Sequence, residues 1–305
     1  MLLYIDEEFI QKFESRLKEI NSIDHPIESE VSNRLSQIFK KYAEVQLFTD
    51  LKFEEFSNFY LLRLAVSINP CIRSKEDFFS LITKSSDQTP ILAFTGSDES
   101  IIAIAEKNHG LSFTISNYVE RLVAILEKES SIRFAELQNK FNWKDLKQFL
   151  GWRTKSMVLV DNYILKDQRK INANLKPLLQ TIISNVEVKE FKILVNKDEY
   201  KQNRSADVSI NFLSIESNIN DYIEDLDGQF SVKIKSFSKS NSKYDLHDRR
   251  LYMRYAIIEI GQGFDLLPID PSRFYDRKIE IRTVFTKDTH DDFRYLYKGI
   301  ENLLR

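Results

Sequence analysis

The sequence lacks most of the residue patterns that mark familiar classes of disulfide-bonded, nucleotide-binding or metal-binding domain. It contains one cysteine, Cys71, which excludes an internal disulfide framework. It has only seven glycines, and neither a Walker motif nor a GxGxxG pattern occurs, so a glycine-rich phosphate loop is excluded. With four histidines and no CxxC, HExxH or EF-hand pattern, the sequence predicts no metal ion and no other cofactor.

Long apolar runs and an excess of one charge are also missing. No run approaches the roughly 20 apolar residues of a bilayer span, so we predict none. The start of the chain, MLLYIDEEFIQKF, is acidic where a signal peptide is basic, which predicts a cytoplasmic protein. The net charge of -2 means that any contact with nucleic acid must come from a local basic patch. A chain of 305 residues that is 42% hydrophobic is typical of two globular domains.

Apolar residues at helical spacing predict a mainly helical domain over residues 1–150. Met1 to Ile5 fits either the start of a helix or a short strand. Asp6, Glu7 and Glu8 then either bind a metal or, as we prefer, lie at a helix N-terminus, where carboxylates are favourable. Residues 89–115 have a strand–helix–strand pattern, which predicts a small α/β element within this domain.

Two short helices are predicted at the end of the first domain, over residues 130–137 and 142–150. In outline they resemble a helix-turn-helix whose second helix would present Lys144, Lys147 and Gln148 outward. Short helix pairs are also common connectors, and we favour that simpler interpretation.

The pattern changes after a predicted domain boundary at Gly151 to Lys155. Apolar runs that fit strands now alternate with amphipathic helices, which predicts an open α/β sheet over residues 151–305. The predicted strands cover residues 157–160, 191–195, 230–237, 255–260 and 279–285, and the predicted helices cover residues 172–184, 215–226 and 291–304. The fold class is therefore α/β, or α+β overall, with an α-rich domain first. Near the last helix, Asp288, His290, Asp291 and Asp292 favour a helix N-terminus over a metal site.

The densest chemistry lies in KYDLHDRRLYMRYAIIEIGQGFDLL, residues 243–267. This stretch predicts a charged entry, a buried strand and a glycine turn. Its cations belong to a locally basic region in an acidic protein, and clustered Lys and Arg side chains are typical of phosphate recognition. The predicted binding residues with these charges are Lys233, Lys235, Lys243, Arg249, Arg250 and Arg254. Tyr244, Tyr252 and Tyr255 are candidates for stacking on bases.

This stretch resembles the active-site motif of the phospholipase D-like superfamily. In that superfamily a histidine is followed two residues later by a lysine, then by an aspartate and, after the strand, by glycine-serine. His247 occupies the histidine position and Arg249 the lysine position. Arg254 replaces the aspartate, and Gln262 replaces the serine after Gly261.

The resemblance extends over about residues 151–305. It includes the Val-Asp-Asn-Tyr strand end at residues 160–163 and the order of strands and helices. The HDR and GQGFD runs are more similar to the degenerate branch that ends MIT-containing proteins. That branch keeps the fold and serves as an interaction or membrane-recruitment module. The resemblance therefore implies a phospholipase D-like α/β domain with a degenerate motif.

For function, the resemblance implies a module that binds nucleic acid or another phosphate-bearing ligand, of a kind that also occurs in bacterial antiviral (anti-phage) defence systems. In an active member, His247 would be the nucleophile of a metal-independent phosphodiesterase or nuclease, and Arg249 would hold the phosphate. Asp161 or Glu259 would orient the histidine. A second histidine motif is missing, so catalysis would need a homodimer. The alternative is a non-catalytic adaptor that docks a protein partner through its N-terminal domain.

Overall fold

The computed structural model describes residues 1–20, 23–85, 89–133, 154–184, 188–200, 211–238, 249–261 and 278–304. The chain forms two compact units. The first contains Met1–Glu127 and Thr283–Asp292, and the second contains Lys128–Arg282 and Phe293–Arg305. Most of the predicted boundary at residues 151–155 lies outside the described residues, so it stays a prediction.

The first unit is built on a parallel sheet with strand order β3-β2-β1-β4-β5. Its strands are β1 (Leu2–Ile5), β2 (Gln46–Thr49), β3 (Ile72–Ser74), β4 (Ile91–Thr95) and β5 (Leu111–Thr114). Its helices are α1 (Glu7–Glu19), α2 (Pro26–Lys41), α3 (Tyr60–Ile68), α4 (Lys75–Ile82), α5 (Glu99–Lys107) and α6 (Tyr118–Leu126), with a 3-10 helix at Phe53–Asn58. The order of the strands reverses between β1 and β4, so both strands end beside a topological switch point.

The predicted mainly helical domain contains a five-stranded sheet, of which the sequence predicted only part. The small α/β element is confirmed as β4, α5 and β5, and the stretch from Leu2 to Ile5 is a strand. The strands β2 and β3 were not predicted. Asp6 is the N-cap of α1, with its carboxylate accepting the Phe9 amide at 2.8 Å, which confirms the preferred role of the acids after β1. The two sides of the sheet bury apolar residues of α1 and α4, including Phe13 and Phe78.

The second unit is built on a mixed sheet with strand order β6-β12-β11-β10-β7-β8-β9. Its strands are β6 (Ser130–Arg133), β7 (Ser156–Val160), β8 (Glu190–Asn196), β9 (Ser231–Phe237), β10 (Arg250–Tyr252), β11 (Ala256–Ile260) and β12 (Lys278–Thr283). Its helices are α7 (Gln168–Lys170), α8 (Lys176–Ile183) and α9 (Phe212–Glu224), and a π-helical turn at Ile171–Leu175 joins α7 to α8. The last helix, α10 (Lys287–Leu304), belongs to the first unit up to Asp292 and to the second from Phe293. Strands β7, β8 and β9 are parallel, and β10 is antiparallel to both β7 and β11.

The α/β class is confirmed, and in this unit the predicted strands and helices match the observed elements closely. The prediction of a helix over residues 130–137 is wrong for the start of that stretch, because residues 130–133 form β6. Ile132 of β6 pairs with Ile279 of β12, a partner far along the chain that local helical spacing does not reveal. The remainder of the predicted helix-turn-helix lies outside the described residues.

A single apolar cluster connects the sheet and helices of the second unit. Met157 and Leu159 of β7 and Ile193 of β8 are fully buried in it, and Leu179 and Ile219 cover them from α8 and α9. Among the described residues, no helix is both long and apolar enough to cross a bilayer.

Candidate phosphate-binding edge

The strand register of the second unit brings two distant parts of the chain to one edge of the sheet. Strand β7 ends at Val160, which pairs with Arg250 at the start of β10. Because the two strands are antiparallel, Arg249 lies beside the residues that follow β7. The Ile260 amide also donates to the carbonyl of Arg249 at 3.1 Å, which fixes the backbone of that residue at the edge.

The residues after β7 form a tight turn around Asp161. This carboxylate is buried and accepts the amides of Tyr163 at 2.7 Å and Ile164 at 3.1 Å. The Asn162 side chain accepts the Asn196 amide at 2.7 Å, which joins the turn to the end of β8. The turn is therefore held by hydrogen bonds that fix the position of Tyr163. Asp161 uses its Oδ1 in this turn, and the suggested role of orienting a histidine stays a prediction.

Two cations share the ring of Tyr163. The Lys166 Nζ lies 4.3 Å from the ring centroid and the Arg249 Cζ lies 4.4 Å from it. Such contacts hold a cation over an aromatic face without neutralising its charge. Lys166 also lies 5.4 Å from the ring of Tyr200 and 3.8 Å from the carboxylate of Glu199. Within the described ranges, Arg249 has no carboxylate within ion-pair distance.

Charges of both signs act on Lys166 at this edge. Burial lowers the pKa of Lys166 below its usual value, and the positive charges of Lys170 and Arg249 lower it further. The negative charges of Glu199 and Asp161 oppose that shift. We call the group formed by Tyr163, Lys166, Lys170 and Arg249 the basic edge. An anion bound there would relieve the repulsion that Lys170 and Arg249 exert on Lys166.

The neighbouring Arg250 has a different environment from Arg249. Its Nε donates to Glu259 at 2.9 Å, and the same carboxylate accepts from Arg282 at 2.8 Å. Glu259 therefore bridges β10, β11 and β12 on the sheet. The observed contacts of Glu259 therefore give no support to its suggested role of orienting a histidine.

Arg254 does not join the basic edge. It follows β10, at the end of the sheet where β7 begins, and its amide donates to the Thr154 hydroxyl at 3.3 Å. The side chain is buried, with its guanidinium 5.9 Å from the ring of Tyr255. The prediction that Arg254 belongs to the same exposed binding surface as Arg249 is corrected by this register: the two arginines lie at opposite edges.

The predicted lysines are also separated. Lys233 donates to Glu190 at 2.9 Å near the start of β8, at the edge opposite to Arg249. Lys235 pairs with Leu194 farther along β8 and β9. The predicted residues His247, Lys243 and Gln262 lie outside the described residues.

The predicted base-stacking tyrosines do not present open faces. Tyr252 and Tyr255 are both buried, and Tyr252 packs edge-on against Phe293 with centroids 5.8 Å apart. The third candidate, Tyr244, lies outside the described residues. Recognition by stacking is thus not supported by the two tyrosines that the structure describes.

Sequence reasoning identified Arg249 but missed Tyr163, Lys166 and Lys170. A signal for Tyr163 was present, because polar residues that follow a buried strand lie at the edge where ligands bind in α/β sheets. No such signal marks Lys166, which lies far from Arg249 in the sequence and meets it only through the pairing of β7 with β10.

Metal ligation and external similarity give no further assignment. In the part of the chain that the structure describes, no group of three or more His, Cys, Asp or Glu side chains is placed to hold a metal ion. His290 is instead buried, stacked 4.5 Å from Tyr42 and bonded through Nε2 to the Ala43 carbonyl at 2.9 Å. Comparison of the chain with protein-family models, curated proteins and solved structures finds no match.

Proposed function

We propose that the second unit binds phosphate groups of a nucleic acid at the basic edge. The observation that carries this proposal is the pair of cations, Lys166 and Arg249, that share the ring of Tyr163. A fixed arginine can hold a phosphate through two parallel N–H···O bonds, and a neighbouring lysine adds charge and a third donor. The phospholipase D-like resemblance placed Arg249 in the same role.

The type of contact indicates recognition of the backbone instead of the bases. Both cations occupy the ring of Tyr163, and the tyrosines described on β10 and after it are buried. Backbone contacts do not distinguish sequences, and their affinity falls steeply as salt displaces the protein from the phosphates. We therefore expect binding with little sequence preference and strong salt dependence. Membership of an antiviral defence system stays a prediction from the resemblance.

The test is equilibrium binding of fluorescently labelled DNA and RNA, single- and double-stranded, over a series of salt concentrations. We expect Arg249→Met and Lys166→Met each to weaken binding about tenfold at low salt, since each removes a charge-assisted contact. The salt dependence should also fall by about one phosphate contact per variant. Lys233→Met is the matched control, because Lys233 pairs with Glu190 at the opposite edge.

Two results would contradict the proposal. One is equal affinity of the wild-type protein and the Lys166→Met, Arg249→Met double variant for every nucleic acid tested. The other is a loss of binding in Lys233→Met as large as in the basic-edge variants, which would indicate a diffuse charge effect. Failure of the wild-type protein to bind any nucleic acid at low salt would favour the protein adaptor.

The second candidate function is a metal-independent phosphodiesterase with His247 as nucleophile. It is favoured by one specific feature: Arg249, two residues after His247 in the sequence, lies at the basic edge with its guanidinium over Tyr163. Incubation of the protein with the same nucleic acids in EDTA tests this function. Cleavage that His247→Ala abolishes, with binding retained, would establish catalysis and overturn a purely binding role.

A further inference from the structure

The first unit contains a cavity of about 340 Å³ where strands β2 and β3 end. Its volume is within the range of small-molecule sites, about 300–1,000 Å³. Strand β3 runs parallel to β2, with Ser74 opposite Thr49, so the carboxyl ends of both strands border the cavity. In open α/β sheets this edge is where ligands bind.

The switch point of this sheet, between β1 and β4, is closed by the protein itself. Asp6 accepts a hydrogen bond from the Thr95 hydroxyl, and its two carboxylate oxygens each accept the Gly96 amide at 3.0 Å. A side chain at position 96 would collide with Glu8, which covers this turn. The cavity beside β2 and β3 lies at the same edge and is open.

The cavity presents charges of both signs. Asp50 follows β2, and its Oδ1 accepts the Glu7 amide at 3.0 Å, which fixes the carboxylate. Arg73 of β3 lines the same cavity, is exposed, and has no ion-pair partner within the described ranges. The other lining cation, Lys75, is already paired with Asp98. Although burial raises the pKa of Asp98, hydrogen bonds from Lys75 and Ser100 hold it at about 2.

The remaining lining combines the hydroxyl residues Thr49 and Ser74 with three apolar residues, and the apolar residues favour a ligand with an apolar part. Leu51, Phe56 and Ile72 line the cavity together with the charged residues. Phosphorylated ligands are disfavoured, because Asp6, Glu7 and Glu8 follow β1 where a nucleotide site has glycines. We propose that this cavity binds an α-amino acid with an apolar side chain, whose ammonium group contacts Asp50 and whose carboxylate contacts Arg73.

Each charge of the proposed amino acid has a partner among the residues that line the cavity. Asp50 retains acceptor capacity beyond its bond to Glu7, and an arginine holds a carboxylate through two parallel hydrogen bonds. Ser74 is the N-cap of α4, so the positive end of that helix dipole lies at the cavity and favours the ligand carboxylate. The apolar side chain would contact Leu51 and Phe56. This inference is independent of the basic edge in the second unit.

The test is isothermal titration calorimetry of the full-length protein with leucine, isoleucine, methionine and phenylalanine. Two analogues of leucine separate the charges: 3-methylbutylamine lacks the carboxylate, and 4-methylpentanoate lacks the amine. We expect at least one of the four amino acids to bind. We expect leucine to bind about tenfold or more tightly than either analogue, because each analogue leaves one charge of the protein without a partner.

Two variants and one control complete the experiment. Asp50→Asn keeps an acceptor for the Glu7 amide, so its folding can be verified by an unchanged thermal midpoint. We expect it to bind leucine no better than 4-methylpentanoate, and Arg73→Gln to bind leucine no better than 3-methylbutylamine. Arg63→Gln is the control, since Arg63 is an exposed arginine that lies over the Tyr60 ring and outside the cavity lining.

Three results would overturn the proposal. The first is the absence of heat with all four amino acids at millimolar concentration. The second is equal affinity of the wild-type protein for leucine and 3-methylbutylamine, which would remove any role for Arg73 and indicate an organic cation. The third is an equal loss of affinity in Arg63→Gln and Arg73→Gln.

Discussion

Charged side chains follow the strands of both sheets, and their contacts differ between the two units. In the first unit, the acids after β1 and β4 accept backbone amides: Asp6 binds those of Phe9 and Gly96, and Asp98 binds that of Ile101 at 3.3 Å. In the second unit, Lys166 and Arg249 lie over an aromatic ring. Acids at helix N-termini can be satisfied by the backbone, whereas cations at that end of a helix cannot.

This difference separates structural charge from charge available to a ligand. A carboxylate that accepts amides of its own helix contributes to stability and has little capacity left for a partner. Arg249, in contrast, lies over Tyr163 and has no carboxylate partner among the described residues, so its charge is available to a ligand. The number of charges at a strand edge is therefore a poor guide to function. The hydrogen-bond partners of those charges are the better guide.

The largest effect is expected for Asp6→Ala in the first unit. Removal of this carboxylate leaves the amides of Phe9 and Gly96 and the hydroxyl of Thr95 without their acceptor in a buried position. We expect a loss of about 3 kcal/mol or more in the free energy of opening of this unit. Amide hydrogen exchange over β4 measures that free energy directly.

The matched control for Asp6→Ala is Asp221→Ala, which removes an exposed carboxylate from α9 of the second unit. Exposed substitutions of this kind usually change stability by less than about 0.5 kcal/mol. If exchange from β4 were protected equally in the two variants, Asp6 would not be the structural acid that the hydrogen bonds indicate.

The strands that were predicted from the sequence are longer or more apolar than those that were not. The strands β7, β8, β9, β11 and β12 were predicted because each contains enough apolar or alternating residues for the pattern to be visible. Strand β2 has four residues, and β3 has three, of which Arg73 and Ser74 are exposed. So few residues cannot display a period of two, and their strand conformation depends on pairing with neighbours.

The site was predictable only in part for a similar reason. Arg249 was predicted from the lysine position of the phospholipase D-like motif and its locally basic surroundings, and Asp161 from its position after a strand. The contact of Arg249 with Tyr163 and the nearby Lys166 follows from the antiparallel pairing of β10 with β7. A single sequence does not reveal that pairing, and it does not reveal that Arg254 lies at the opposite edge.

A smaller effect is expected from pH. The pKa of Lys166 is lowered by burial and by Lys170 and Arg249. Neutral lysine no longer attracts phosphate, so affinity for single-stranded DNA should begin to fall as the pH rises into the range below the usual lysine pKa of about 10.4. The expected loss is several-fold over the window between the lowered pKa and that usual value. Fluorescence anisotropy at constant ionic strength measures it.

Lys166→Arg is the control for this pH dependence, because arginine stays charged throughout that window. The variant should bind DNA at neutral pH and lose the decline at alkaline pH. An unchanged decline in Lys166→Arg would show that another group titrates, and would argue against Lys166 as a phosphate ligand.

The smallest effect is expected for Glu199→Gln, and it has the opposite sign. Glu199 lies 3.8 Å from Lys166 and is partly exposed, so it partly neutralises the basic edge. Its removal should strengthen DNA binding about two- to threefold at 0.1 M salt, a size typical of an exposed ion pair. The matched control is Glu190→Gln, which removes the same charge from the pairs with Lys192 and Lys233 at the far edge. Screening confines exposed charges to about 10 Å at 0.1 M salt, so that control should change affinity less. Equal strengthening in both variants would mean that binding responds to net charge alone, and the distinction between the two edges of this sheet would fail.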